Sequence, residues 1–243
     1  MSETFGFRRQ RSGVYVLSGR IMRIGTWNLD AQWSPAHQAL LARGYCDVWL
    51  LTEVRPSAGE PNPPLADYQC HLSKGTMARG QHYAAILSLL SLTPLHGTHE
   101  ASASAVVDGI AYCATVLPWA GCAQQPTSPW VGASLEEMAR AAIDRLKAAL
   151  PKGSTVWGGD WNQNLAGGWQ NVGSRPMRTL IESVVTSLDL RVATAALPHQ
   201  AGACAFTIDH IAVPWHWKVR CADRVAATGL SDHDAYIIEV DKW

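Results

Sequence analysis

Apolar residues in this chain gather in short blocks separated by turn formers, and the blocks alternate between strand-like and helical period. RIGTWNL predicts a first strand. SPAHQALLARG predicts a helix, with Ser34 as N-cap, Pro35 at the first helical position and Gly44 just past its end. CDVWLLTEV predicts a buried strand, and beyond the Pro-rich PSAGEPNPP both DYQCHLS and HYAAILSLLSL read as further strands. ASAVVDGIAYCATVL predicts a hairpin turning at Asp108-Gly109, and the uncharged loop PWAGCAQQPTSPW follows it. The clearest helix runs from Ser134 to Leu150, with Ser134 and Glu137 in capping-box spacing and Pro151 beyond its end. TVWGGD is a strand running into a loop, NVGSRPMRTLIESVVTSL a loop entering a helix, and AFTIDHIAVP, HWKVRCADRVAA and AYIIEV three final strands. Strands outnumber helices roughly two to one, with no fixed-period repeat and no linker long enough to split domains. This pattern predicts two β-sheets packed face to face with helices outside them.

Composition narrows the function classes. The chain has 243 residues and is 47% apolar, enough for a sizeable core in one domain. Charged residues make up only 16%, against roughly 25% in an average soluble protein, while Trp occurs 11 times. A polybasic nucleic-acid wrapper is disfavoured. The balance of 20 basic against 20 acidic residues hides an asymmetry, because Arg8, Arg9, Arg11, Arg20 and Arg23 face only Glu3 near the N-terminus and leave the body mildly acidic. The expected organisation is an Arg-rich extension over residues 1–21 and a single catalytic domain over 22–243. No window approaches the roughly 18 apolar residues of a membrane span, and the N-terminus lacks the apolar core of a secretory signal, so a cytoplasmic location is expected. The six cysteines contain no CxxC pair and read as small buried hydrophobes.

Chemistry-bearing residues fall at strand ends in both halves. Asn28 closes the first strand in GTWNLD and Glu53 closes the next in WLLTEV. Asp160 and Asn162 stand at i and i+2 in GGDWNQN, which would point them to one side and Trp161 to the other if strand geometry persists. Asp209 lies in FTIDHIAVP, and Asp232 and His233 in GLSDHDAY. Singly, each is a turn former or cap. As a set of carboxylates, amides and one His, without GxSxG, HExxH, GxxxxGK or GxGxxG, they suit Mg²⁺ or Mn²⁺ with phosphate oxygens completing the coordination.

With TWNL, LLTEV, GGDWNQN, IDHIAV and SDHD in this order from about Arg23 to Val240, the chain resembles the endonuclease/exonuclease/phosphatase superfamily with the DNase I-like fold. The resemblance implies a four-layer α-β-β-α sandwich, with two packed mixed or antiparallel sheets flanked by helices. It further implies divalent-metal-dependent hydrolysis of a phosphodiester or phosphomonoester at one sheet edge. Carried over, it makes Glu53 the main Mg²⁺ ligand, with Asn28 and Asp232 helping to hold metal or its waters. Asp160 orients and deprotonates the attacking water, Asn162 holds water or a phosphoryl oxygen, and His233 donates to the phosphoryl group with Asp209 fixing its tautomer. One position departs. Many members carry a His or a nearby Tyr on the strand before the long loop, where CATVLPW here places Val116, which cannot donate a proton. The rival expectation is therefore a non-catalytic binding module that retains the fold.

Residues 101–131 contain no Lys or Arg, so the cleft is poorly equipped to grip long duplexes through counterion release. A phosphate-ester substrate is expected, with short or single-stranded nucleic acid favoured over long duplex, and a monomer is compatible with the sequence. Arg79 and Arg175 are the candidate substrate cations, with Lys74 and Arg178 beside them, and Trp119, Trp130 and Trp169 are candidate stacking surfaces. Trp27, Trp49, Trp157 and Trp161 read as core, and His96 and His99 as a loop coincidence rather than a metal pair.

Overall fold

The computed structural model describes residues 21–55, 65, 67–167, 172–199 and 205–242. Residues 1–20 of the Arg-rich extension expected over 1–21, Trp169 and Cys204 lie outside the described residues, and Ile21 begins the first strand. Among the described residues, β1 (Ile21–Asn28), β2 (Val48–Val54), β3 (Gln69–Leu72), β4 (His82–Ser88), β11 (Lys218–Val225) and β12 (Ala235–Asp241) form one sheet, ordered β11-β12-β1-β2-β4-β3. The other is ordered β5-β6-β7-β8-β10-β9, from β5 (Leu92–Pro94), β6 (Ser102–Val107), β7 (Ile110–Thr115), β8 (Thr155–Asp160), β9 (Leu190–Val192) and β10 (Asp209–Pro214). Both sheets are mixed: β1 and β2 run parallel, as do β7 and β8, and every other neighbouring pair is antiparallel.

Alternation along the strands sorts side chains into layers. Ile24, Val48, Leu50 and Ile86 meet Tyr112, Val156, Ile211 and Val213 between the sheets. Trp49, Leu51, Leu87 and Ile237 turn to the opposite face and are covered by Leu40 and Leu41 of α1 (Pro35–Gly44). The second sheet's outer face is covered by Ile143 and Leu146 of α2 (Leu135–Ala149) and by Leu180, Ile181 and Val184 of α3 (Arg175–Ser187). The molecule is thus the four-layer sandwich, with three apolar seams. Trp27, Trp49, Trp157 and Trp161 are fully buried, as their strand contexts imply. Trp130 is not the open stacking surface expected, since it is 5% exposed and packs edge-on against Tyr83 and Trp119, at 4.9 and 5.2 Å between ring centroids.

Local chemistry explains most boundaries. Asp108 and Gly109, with φ 48° and 77°, supply the two left-handed residues a tight β-hairpin requires. Ser134 caps α2 by accepting the Glu137 N–H at 3.2 Å, and Glu137 accepts in return from the Ala133 N–H at 2.8 Å. Ser34 departs from its expected role: it caps α1 without a side-chain bond to the helix backbone, and its hydroxyl pairs with His37 Nδ1 at 2.7 Å instead. Gly44 ends inside α1, and Tyr45 takes the left-handed position at φ 46°. HYAAILSLLSL is two strands rather than one, because β4 belongs to the first sheet and β5 to the second, and the chain crosses between them. β9 was not expected; its three residues are too short to show a period.

Candidate active site

In each sheet a parallel pair carries two strand C-termini to the same edge, where ligand sites of parallel sheets form. The first pair delivers Asn28 and Glu53, the second Thr115 and Asp160. The edges face one another, so the buried Asn28 side chain spans the sheets: its Nδ2 donates to Glu53 Oε1 and to Asp160 Oδ2, each at 3.1 Å. Its Oδ1 accepts the Asp30 N–H at 2.9 Å.

Glu53 stands out in backbone conformation. Its φ of 51° is left-handed, and the β2–β4 register runs from Thr52↔Ala84 to Val54↔His82 without pairing it. A non-Gly residue held this way costs about 1–3 kcal/mol and persists where the surroundings over-determine it. Strict alternation would send Glu53 to the helix-covered face with Leu51; the turned backbone accompanies its contact with Asn28. Gly159 is required at the matching edge, because it has φ 119° and a Cβ there would lie 2.3 Å from the Thr115 carbonyl oxygen.

Asp209, opposite Asp160 in the β8–β10 ladder, accepts from His233 Nδ1 at 2.6 Å. The loop that carries His233 is stitched to β1. Ser231 Oγ donates to the Asn28 carbonyl at 2.8 Å and accepts the His233 N–H at 3.0 Å, and Trp27 Nε1 donates to the His233 carbonyl at 3.0 Å. Asp232 is outside this knot; its side chain is 74% exposed, with Oδ1 3.8 Å from His233 Nε2. An open cleft of about 590 Å³ lies alongside, lined by Asp30, Gln32, His37 and Asp232 among others.

Electrostatics follow from burial. Burial, then the charge of Asp209, pushes the Asp160 carboxyl up to about 7, with the Asn162 N–H and His233 pulling the other way. Glu53 is also raised by burial, against its bond from Asn28. Burial works against a charged His233, but the Asp209 carboxylate, its hydrogen bond and the nearby Asp160 and Asp232 outweigh it and push the imidazole up to about 10.

The structure therefore brings Asn28, Glu53, Asp160, Asp209 and His233 to one edge, with Asp232 at its rim. Asn162 differs from expectation. β8 ends at Asp160, Asn162 takes φ 53°, and its backbone N–H donates to Asp160 Oδ1 at 2.8 Å while its side chain donates to the Leu117 carbonyl at 2.9 Å. The i, i+2 same-side geometry fails because the strand does not continue, and an Asx-type turn takes its place. Val116 is fully buried against Tyr83, Ala101 and Trp130 and presents no donor. Arg79, at φ 64° in the β3–β4 connection, and Arg175, the first residue of α3, are exposed and bond to none of these side chains; Trp119 is half-buried.

Two residues escaped the sequence reading. Ser231 positions the His233 loop. His199 places its ring edge-on to His233, 5.1 Å between centroids at 89°, with a buried Nδ1 that has no protein partner, and burial holds its pKa down. Asp209 Oδ1 is likewise buried without a protein partner. Among the described residues, His199, Asp209 and His233 are the one group of His, Cys, Asp or Glu whose ligand atoms all lie within 4.8 Å of one another. Only the FTIDHIAVP and SDHD motifs hinted at this group; nothing around His199 marks it.

Comparison with known proteins bears on the family and the fold. The model of the Endonuclease/Exonuclease/phosphatase family matches residues 25–233. No curated protein matches the chain. Among solved structures, the chain is similar to the 3′ phosphatase NExo from Neisseria bound to product DNA hairpin, with 18% identity over 91% of this chain and 100% of that one and a TM-score of 0.66. It is similar also to an AP endonuclease from Archaeoglobus fulgidus, at 15% identity over 89% and 98% of the two chains and a TM-score of 0.66. An endonuclease/exonuclease/phosphatase from Beutenbergia cavernae aligns at 15% identity over 91% of this chain and 72% of that one, with a TM-score of 0.63. At these identities the likeness establishes the DNase I-like fold.

Proposed function

Because the chain belongs to the endonuclease/exonuclease/phosphatase family, we propose that it is a divalent-metal-dependent phosphoesterase, hydrolysing a phosphodiester or phosphomonoester by in-line attack of an activated water. The observation that carries the reading is the Asn28 amide joining Glu53 to Asp160 across the sheets, beside the Asp209–His233 pair. Apolar packing alone has no use for three carboxylates crowded at one edge, two of them with raised pKa.

Such crowding suits a hard divalent cation, which offsets like charges that burial disfavours. Glu53, with Asn28 and Asp232, would hold Mg²⁺ or Mn²⁺. When bound, the ion supplies positive charge for the phosphoryl oxygens. The remaining work falls to the chain's own groups. Asp160, poised at about 7, is suited to take a proton from water near neutral pH, and its hydrogen bonds from Asn28 and Asn162 fix its orientation. Asp209 accepts the Nδ1 proton of His233, which leaves Nε2 to donate to a phosphoryl oxygen as negative charge builds there. Arg79, Trp119, Trp169 and Arg175 are proposed substrate contacts, and nucleic-acid substrates are proposed to be short or single-stranded.

The test is a panel of single-stranded DNA, duplex DNA, RNA, a nitrophenyl phosphodiester and a phosphoinositide with Mg²⁺ or Mn²⁺. Hydrolysis of at least one, abolished by chelator and by Glu53→Ala, is expected. Metal binding without turnover on every substrate would instead favour the non-catalytic module suggested by the buried Val116.

A further inference from the structure

A second cleft opens at the same end of the sandwich, beyond β4. Ser73, following β3, donates its N–H to the Ala84 carbonyl at 2.8 Å, and Ala84 pairs with Thr52, so the end of β3 shares the edge on which Glu53 stands. The cleft lies between this segment, the β5–β6 connection and α2, and has a volume of about 420 Å³. That is within the range of about 300–1,000 Å³ typical of small-ligand sites.

Its lining inverts the charge of the catalytic edge. Lys74 enters from the β3–β4 connection and Arg145 from α2, and among the described residues neither has a hydrogen-bond or ion-pair partner. Several other cations are neutralised, among them Arg23 by Glu239, Arg220 by Asp241 and Arg224 by Asp234. Glu100 is the one acid of the lining, so the wall is net positive even with its histidines neutral. Thr98 contributes a hydroxyl that already accepts from Ser104 Oγ at 3.1 Å, which leaves its own proton to donate. His71, His96 and His99 also face the cleft, but they are not among the ligand atoms that converge within 4.8 Å, so the lining does not present a metal cage. At the cleft His99 stacks on Trp130 at 6.0 Å, and Trp130 meets Tyr83 edge-on at 4.9 Å.

Two cations from separate elements, unpaired among the described residues, with a hydroxyl donor and a polar cavity make a site for a compact anion. We propose that this cleft is a phosphate-ester subsite, in which Lys74 and Arg145 grip a phosphate group from two sides and Thr98 donates to it. The occupant is either a second phosphate carried by the substrate or a free phosphate ester. The binding claim is independent of turnover; assigning the group to the substrate rests on the proposed phosphoesterase reading.

Calorimetric titration of the full chain, without added metal, with inorganic phosphate and with adenosine 3′,5′-bisphosphate tests it. Saturable binding is expected, weakened about tenfold or more in Lys74→Ala and in Arg145→Ala. Arg140→Ala, five residues before Arg145 on α2 and paired with Glu136, is the control and should bind normally. Thermal melts check folding, and Lys74→Gln and Arg145→Gln serve if either alanine variant melts early. Absent binding, or unchanged affinity in both variants, overturns the proposal. Where hydrolysis is measurable, a nitrophenyl phosphodiester with and without a terminal phosphate separates the sources. A KM raised only for the phosphorylated substrate in Arg145→Ala makes the occupant the substrate's own group. Unchanged KM for both, with binding lost, makes it a free ester. An equal rise for both overturns the subsite.

Discussion

The two sheets reach the active edge by the same local plan and deliver different chemistry there. In one, β1 and β2 are parallel neighbours joined through α1; in the other, β7 and β8 are parallel neighbours joined through α2. The first pair ends in Asn28 and Glu53, both polar and hydrogen-bonded to each other. The second ends in Asp160 and, one residue past β7, in Val116, which packs into an apolar cluster with Tyr83 and Trp130. The edge thus carries a bridging amide at the end of β1 and, one residue past the end of β7, packing. A strand terminus offers a rigid mount, and residue type and burial decide whether it holds a reacting group or closes the core.

The sharpest way to break this comparison is to remove the polar end of each half. Glu53→Ala should abolish turnover at ordinary metal concentrations and shift the metal titration upward, while Asp160→Asn should lower kcat by roughly 10²–10⁴ with little change in metal dependence. Identical metal titrations for both variants would refute the division of labour between the sheets. Asp209→Asn comes next. It replaces a charge-assisted hydrogen bond worth roughly 1.5–3 kcal/mol, so kcat should fall roughly 10- to 150-fold, with the His233 imidazole titrating lower by NMR. An imidazole still titrating near 10 would show that Asp209 is not its main partner.

Stability against pH separates the halves without turnover. The Asp160 carboxyl is raised from its ordinary 3.8 to about 7, so in the metal-free protein the fold binds its proton more tightly than the unfolded chain does. Stability should fall as pH rises from about 4 to about 7. His233 is raised from 6.5 to about 10, so its contribution is complete below about 6.5 and lost as pH rises through about 10. Melting temperatures across pH 4–10 should show both declines; Asp160→Asn should remove the lower one and only reduce the upper, since Asp209 is the larger cause of the His233 shift. A flat profile contradicts both assignments. The smallest effects belong to the rim. Arg79→Ala and Arg175→Ala should raise KM on an oligonucleotide by less than about tenfold and reduce its salt slope by about one each. An unaltered slope would remove them from the substrate path.

Legibility varied by element for physical reasons. The Asp108-Gly109 hairpin and the Ser134 cap were readable because both rest on contacts within a few residues. Glu53, Asp160 and His233 were readable as motif members, but the left-handed backbone at Glu53 was not, because it accompanies a contact to Asn28, 25 residues away. The misreadings share a cause. HYAAILSLLSL has no period break where the chain passes between sheets, and Asn162 leaves strand geometry because β8 stops at Asp160. His199 carries no local signal at all; it is notable only because its ring meets His233.

By itself the sequence determined the layer order, the strand ends that carry polar groups and the chemical type of the proposed catalytic set, since each follows from alternation, capping and residue identity within short windows. Tertiary structure alone decided that the Asn28 amide joins carboxylates from both sheets, that Val116 is sealed behind aromatic rings, and that Lys74 and Arg145, 71 positions apart, line one cleft. Those outcomes depend on how two twisted sheets face each other at one edge, and no short window of sequence contains that relation.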